Sequence, residues 1–287
     1  MTPAEFDFLR RLLKDRSGLV LSEDKQYLAE SRLLPVARRH GLASLSDIVA
    51  RLRAGTPALE AAVVEAMTTN ESFFFRDKLP FEHFREAMLP ALMGARAAQR
   101  RLRIWCAAAS TGQEPYTLAM MLDGLGAKVA GWSIEILATD LSNQVLERAR
   151  SGLYTQFEVQ RGLPIQLLMK HFAQKGDMWE IEPKIRAMVQ FRPLNLLRDF
   201  SALGRFDIVY CRNVLIYFDA ETKIDVLGRI ARQLAPDGFL ILGAAETVVG
   251  LTDAFRPHAE RRGLYVPGPA RPAAAVPFAA VARTALR

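Results

Sequence analysis

The chain has 287 residues, half of them hydrophobic, enough for one large domain or two modest ones with real cores. No apolar run reaches the length of a membrane helix, and Glu5 and Asp7 stand where a signal peptide would carry basic residues, so a cytoplasmic protein is expected. Two cysteines and four scattered histidines argue against a disulfide framework and a metal centre, while the net charge of +7 suits nucleic acid, an acidic protein surface or an anionic ligand alike.

Helical patterns fill the first seventy residues. Phe6, Leu9, Leu12 and Leu13 share a face; Ser22 is expected to cap a basic helix ending near Gly41; Leu45, Ile48, Val49 and Leu52 repeat at helical spacing until Gly55. A further helix is expected to start with Thr56 as cap and Pro57 in its first turn, with Leu59, Ala62, Val63, Ala66 and Met67 on one stripe. One more, Lys78 to Met93, leads into a basic connector. The periodicity then changes. Short apolar runs, Leu102 to Ala107, Ile134 to Thr139, Val189 to Phe191, Phe206 to Tyr210 and Phe239 to Leu242, read as buried strands. Helices at Gly112 to Leu122 and Ala220 to Leu234 alternate with them, which predicts a mainly parallel sheet covered on both faces. Between Ser151 and Arg186 a short helix (Ile165 to Phe172) and extended pieces at Trp179 to Ile181 and Ile185 to Arg186 suggest an inserted antiparallel patch.

The resulting division is an all-helical module over 1–75, a linker helix and basic connector over 76–101, an α/β domain over 102–267 with a β insertion at 151–193, and a Pro/Ala-rich tail over 268–287 expected to be disordered. Ligands of open parallel sheets bind beyond the carboxyl ends of the strands, so the residues just after each strand are the candidates. After the first strand, Ala107-Ala108-Ala109-Ser110-Thr111-Gly112 lets a ligand approach the backbone, but the departure from G-x-G-x-x-G weakens a dinucleotide reading. The second strand ends at Asp140, which could bind a ribose or open the following helix. Arg212 and Asn213 are polar residues in an apolar run and need buried partners or a ligand. Cys106 and Cys211 fall near the carboxyl ends of two of these strands and read as reduced small hydrophobes.

Four segments taken together carry more. Thr69-Asn70-Glu71-Ser72-Phe73-Phe74-Phe75-Arg76, Arg103-Ile104-Trp105-Cys106 running on to Gln113-Glu114-Pro115-Tyr116, Phe206-Asp207 with Cys211-Arg212-Asn213-Val214-Leu215-Ile216-Tyr217-Phe218, and Pro236-Asp237-Gly238 resemble, in order and spacing, the CheR family of chemotaxis receptor methyltransferases. The resemblance covers about residues 4 to 266; Ser72 stands where many relatives have Thr, and Gln113 where Glu is frequent. It implies a Rossmann-like methyltransferase sheet behind an all-α amino-terminal domain. The implied activity is transfer of the methyl group of S-adenosylmethionine to glutamate side chains of chemoreceptor cytoplasmic helices, as methyl esters, by a monomeric enzyme that neither binds nucleic acid nor enters the membrane.

Matched by motif, Asn70, Ser72 and Arg76 would meet the amino-acid end of the cofactor, Glu114 and Asp140 would lie along it with Asp140 on the ribose, and Asn195 and Leu196 would flank the adenine. Arg212 and Asn213 would close the pocket, and Arg76 and Tyr217 would stand at the reacting methyl. An ionised glutamate is already a nucleophile near neutrality, which accounts for the lack of a His, Cys or Ser constellation. A nucleic-acid methyltransferase and a non-catalytic binding module are the alternatives. Neither an Asn/Asp-Pro-Pro-Tyr loop nor a Pro-Cys nucleophile is present for the first, and the five polar residues Arg76, Asp140, Arg212, Asn213 and Tyr217 in family register weigh against the second. The family also suggests receptor docking by basic residues of the helical module, here Arg32, Arg38, Arg39, Arg51 and Arg53. The short connection Gln174 to Met178 in the insertion suggests no dependence on a tethering pentapeptide.

Overall fold

The computed structural model describes residues 1–269; apart from Gly268 and Pro269, the expected tail lies outside the described residues. The amino-terminal helices are α1 (Pro3–Ser17), α2 (Gln26–Arg39), α3 (Leu45–Arg53) and α4 (Pro57–Met67), with a core of Leu9, Leu13, Leu33, Ile48, Val63 and Met67. Capping boxes start α1 (Thr2 with Glu5) and α3 (Ser44 with Asp47), satisfying amides that have no intrahelical partner. Two expected caps are not formed. Ser22 precedes a 3₁₀ turn and its hydroxyl donates to Asp24, while the Thr56 hydroxyl donates back to the Arg51 carbonyl.

The expected helix over Lys78 to Met93 is α5 (Leu79–His83), a widened π turn (Phe84–Met88) and α6 (Leu89–Ala95). Pro90 has no N–H for the carbonyl one turn back, and the Leu89 amide bonds Phe84 five residues back, so the turn widens around the missing bond.

The α/β part follows as β1 (Arg101–Cys106), α7 (Gln113–Asp123), β2 (Ser133–Asp140) and α8 (Asn143–Ser151). The insertion holds β3 (Leu153–Thr155), α9 (Gln156–Gln160), α10 (Ile165–His171), β4 (Phe172–Lys175), β5 (Met178–Ile181) and α11 (Pro183–Arg186). Then come β6 (Val189–Pro193), β7 (Phe206–Cys211), α12 (Ala220–Gln233), β8 (Leu234–Leu242), β9 (Phe255–Pro257) and β10 (Leu264–Pro267). The large sheet runs β6-β2-β1-β7-β8-β10-β9, parallel through β8, with β10 antiparallel to both neighbours. The small sheet, β3-β5-β4, is antiparallel. Ile185 and Arg186, expected to be extended, form the helical turn α11 behind Pro183, whose fixed φ suits a first turn.

Strand alternation divides the core into two layers. Cys106, Ile104, Ile208 and Tyr210 face one side with Phe74, Phe81 and Tyr116, while Trp105, Val209 and Cys211 face the other with Phe206 and Val226. The two thiols are free, buried and on opposite faces of the sheet; Cys106 sits opposite Tyr210 in the register, one residue before Cys211.

Candidate functional site

Strand order reverses between β1, which continues to β2, and β7, which continues to β8, and this is where a doubly wound sheet opens a crevice. A cleft lies there. All ten candidate residues line it: Asn70, Ser72, Arg76, Glu114, Asp140, Asn195, Leu196, Arg212, Asn213 and Tyr217. The helical module supplies a wall through Ser17, Leu19 and Met67, a contribution sequence reasoning missed.

The β1–α7 turn is tight. Ser110 and Gly112 have φ of 49° and 93°, and a Cβ on Gly112 would lie 3.0 Å from that of Ala149 and 3.2 Å from the Tyr154 hydroxyl. Asp140 holds the neighbouring turn: Oδ2 accepts from the Ser110 amide (2.8 Å) and Oδ1 from the Ser142 amide (3.0 Å). Ser142, not Asp140, caps α8. Burial pushes the Asp140 carboxyl above its ordinary range and the backbone amides pull it partway back. Each oxygen retains acceptor capacity for a further donor, as a ribose diol would provide.

Arg212 ties the floor of the cleft to its rim. Its guanidinium donates to Glu114 (2.7 Å), Asp77 (2.7 Å) and the Arg76 carbonyl (2.9 Å), and its side chain is 3% exposed. Burial pushes the Glu114 carboxyl up, opposed by the Arg212 charge; burial also weighs against the Arg212 charge, yet Glu114 and Asp77 leave its pKa raised. Arg76 rides on a strained loop in which Phe75, Asp77 and Lys78 all have positive φ (53°, 68° and 48°). Its own guanidinium reaches the Glu71 carbonyl at 2.7 Å.

The β7 exit turn is organised by a residue outside the candidate set. Glu246 is buried, and its carboxylate accepts from the amides of Asn213 (2.8 Å), Val214 (3.0 Å), Ile216 (3.2 Å) and Gly243 (2.7 Å). That network holds Asn213 at φ 57° and leads the chain to Tyr217, whose carbonyl accepts from Val20 (2.9 Å). The only signal in sequence was an acid, Ala244-Ala245-Glu246, just beyond the end of a strand. On the far wall the Asn195 amide donates to the Arg16 carbonyl (2.6 Å), so that group is spent on joining the loop to α1, and Leu196 packs in the core.

A doubly wound parallel sheet with an antiparallel β10, a small-residue turn after β1 and an acid ending β2 defines the architecture of a Rossmann-like methyltransferase. The chain belongs to the CheR methyltransferase family: residues 4–68 match its all-alpha domain and residues 70–264 its SAM binding domain. It is 45% identical over 259 residues to chemotaxis protein methyltransferase 1 of Pseudomonas aeruginosa, covering 88% of this chain and 93% of that one. It is 42% identical over 257 residues to chemotaxis protein methyltransferase Cher2 of Pseudomonas putida, with the same coverage. The Escherichia coli chemotaxis protein methyltransferase is 35% identical over 262 residues, 89% of this chain and 88% of its own.

Proposed function

We propose that this protein is a protein-glutamate O-methyltransferase, transferring the methyl group of S-adenosylmethionine to glutamate carboxylates on the cytoplasmic helices of methyl-accepting chemotaxis receptors. The observation that carries the reading is the gathering of all ten motif-matched residues on one cleft at the sheet's switch point. The cytoplasm is its proposed location; among the described residues no helix is long and apolar enough to cross a membrane.

The donor set fits the cofactor. Asp140 offers free acceptor capacity to the ribose, Leu196 and Leu141 supply apolar walls for the adenine, and Asn70, Ser72 and Arg76 form a polar rim for the amino-acid end. When bound, the cofactor supplies a methyl group activated by a positively charged sulfur. The chain's residues have the remaining tasks of orienting the nucleophile and excluding water. The Arg76 backbone is pinned by Arg212, and its guanidinium makes a single hydrogen bond, to the Glu71 carbonyl, which it can exchange for an incoming carboxylate. The Tyr217 hydroxyl has no hydrogen-bond partner among the described residues and can donate to the same carboxylate. No base is required, because the acceptor loses no proton.

Titrating S-adenosylhomocysteine into wild type and Asp140→Ala by calorimetry tests the pocket. The variant is expected to bind at least about tenfold more weakly, the loss of one or two charge-assisted hydrogen bonds; equal affinity would overturn the ribose assignment.

A further inference from the structure

Beside the cofactor cleft lies a second, open pocket, which shares Asn70, Glu71 and Ser72 with it and is otherwise lined by Thr111 of the β1–α7 turn and by residues of α8 and the insertion, among them Arg148, Phe157 and Arg161. Two arginines converge on the shared rim. Arg76, on the cofactor side, donates to the Glu71 carbonyl, and Arg161, on the other side, donates to the Glu71 carboxylate at 2.5 Å. Both guanidiniums also lie over the Phe73 ring, at 5.6 Å and 4.2 Å from its centroid.

Their spacing is built in. Gly162, immediately after Arg161, has φ +86°, and a Cβ there would fall 2.1 Å from the Phe74 carbonyl oxygen, so only glycine lets this turn close on the loop that carries Arg76. The Glu71–Arg161 pair, in contrast, is cheap to exchange. Its side chains are 54% and 40% exposed, and ion pairs in such surroundings contribute about 0–1 kcal/mol. An incoming carboxylate can replace Glu71 on Arg161 with little loss, and the Phe73 ring keeps the guanidinium in place meanwhile. Phe157, 70% exposed on the same cavity, offers apolar contact to whatever polypeptide lies there.

We propose that Arg161 is a specificity-determining residue that reads a second acidic side chain of the substrate helix while Arg76 holds the glutamate to be methylated, Glu71 standing in for that second acid in the free enzyme. The inference rests on the glutamate methyltransferase reading of the cleft and adds a substrate requirement to it: the methylated glutamate has an acidic neighbour on the same face of its helix.

The test is steady-state methylation of two receptor cytoplasmic fragments, the natural one and one whose acids within a helical turn of the methylated glutamate are replaced by Gln. Wild type is expected to show a KM several-fold higher for the neutralised fragment. Arg161→Ala should raise KM for the natural fragment by roughly tenfold and abolish the difference between fragments, with kcat within about twofold, as loss of a ground-state contact requires. Arg161→Lys should restore part of the discrimination. Methylation by wild type with the same fragment preference in Arg161→Ala would overturn the role of Arg161 alone. Failure of wild type to methylate either fragment, with S-adenosylhomocysteine still bound, would overturn the glutamate reading and this inference with it.

Discussion

Arg76 and Glu246 are both polar residues at or beside the cleft, yet their surroundings assign them opposite kinds of work. Arg76 is half-buried, and its side chain makes one hydrogen bond, to the Glu71 carbonyl; Glu246 is buried and receives four backbone amides. Removing the first costs the fold little, whereas removing the second takes the acceptor from four backbone donors, one buried and three part-buried, at about 1–3 kcal/mol each when fully unsatisfied. Arg76→Ala and Tyr217→Phe are therefore expected to keep the melting temperature within a few degrees while methyl transfer falls, on the order of a hundredfold for Arg76. Glu246→Ala should lower the melting temperature by about 5 °C or more, as a loss of roughly 3 kcal/mol does in a chain of this size. Thermal melts beside single-turnover rates check both, and a cool-melting Arg76→Ala or a fully stable Glu246→Ala would reverse the assignment. Only Arg76 of these two was legible in the sequence, because its motif is local. The partners of Glu246 lie some thirty residues upstream and meet it only when β7 and β8 pair.

At the scale of elements, the helical module closes the cleft through a few definite ties. Lys14 on α1 pairs with Asp219 (2.7 Å), which also caps α12 through the Thr222 amide (2.9 Å); Glu65 on α4 accepts from Ser142 and Gln144 at the start of α8 (both 2.7 Å). Lys14, with help from the Thr222 hydroxyl and amide, holds the Asp219 carboxyl well below the usual carboxylate range. A carboxyl depressed in the folded state contributes stability that is complete above its unfolded pKa of about 3.9 and disappears as pH falls toward the folded value. Asp219→Ala should therefore cost about 1 kcal/mol near neutrality, the worth of a cap, and the gap from wild type should narrow below pH 4. Chemical denaturation at pH 7 and pH 3 measures it; a gap that widens in acid would contradict the linkage. These ties explain why the cleft's third wall escaped the sequence. The strands and α7 follow from apolar runs and alternation, but nothing in the periodicity of α1 says that Ser17 and, just beyond it, Leu19 line the cleft. The π turn at Phe84–Met88 and the helical α11 were similarly hidden, since each follows from a proline acting against its neighbours' pattern.

For the whole molecule, net charge of +7 becomes informative once the basic residues are placed. Arg32, which the sequence grouped with a docking surface, is committed to structure: its guanidinium donates to the carbonyls of Met67 (2.7 Å) and Thr68 (3.0 Å) and to the Thr69 hydroxyl (3.1 Å), finishing α4 where the chain enters the cleft rim. Arg38, Arg39, Arg51 and Arg53 remain exposed. Steering of an acidic helix by such charges raises association rates and fades with salt. Arg38→Glu with Arg39→Glu is expected to raise KM for receptor fragments several-fold at low ionic strength and leave S-adenosylhomocysteine affinity unchanged; an unchanged KM at low salt would remove this surface from docking.

The reading of the cleft as a glutamate methylating site is met most directly by the chemistry of its product. Incubated with S-adenosylmethionine labelled in the methyl group, the protein is expected to label receptor cytoplasmic fragments and not RNA. Mild alkali should release that label as methanol, since a carboxyl ester hydrolyses where an N-methyl or C-methyl group does not. Label that survives alkali, or that appears in RNA and not in the receptor fragment, would contradict the account.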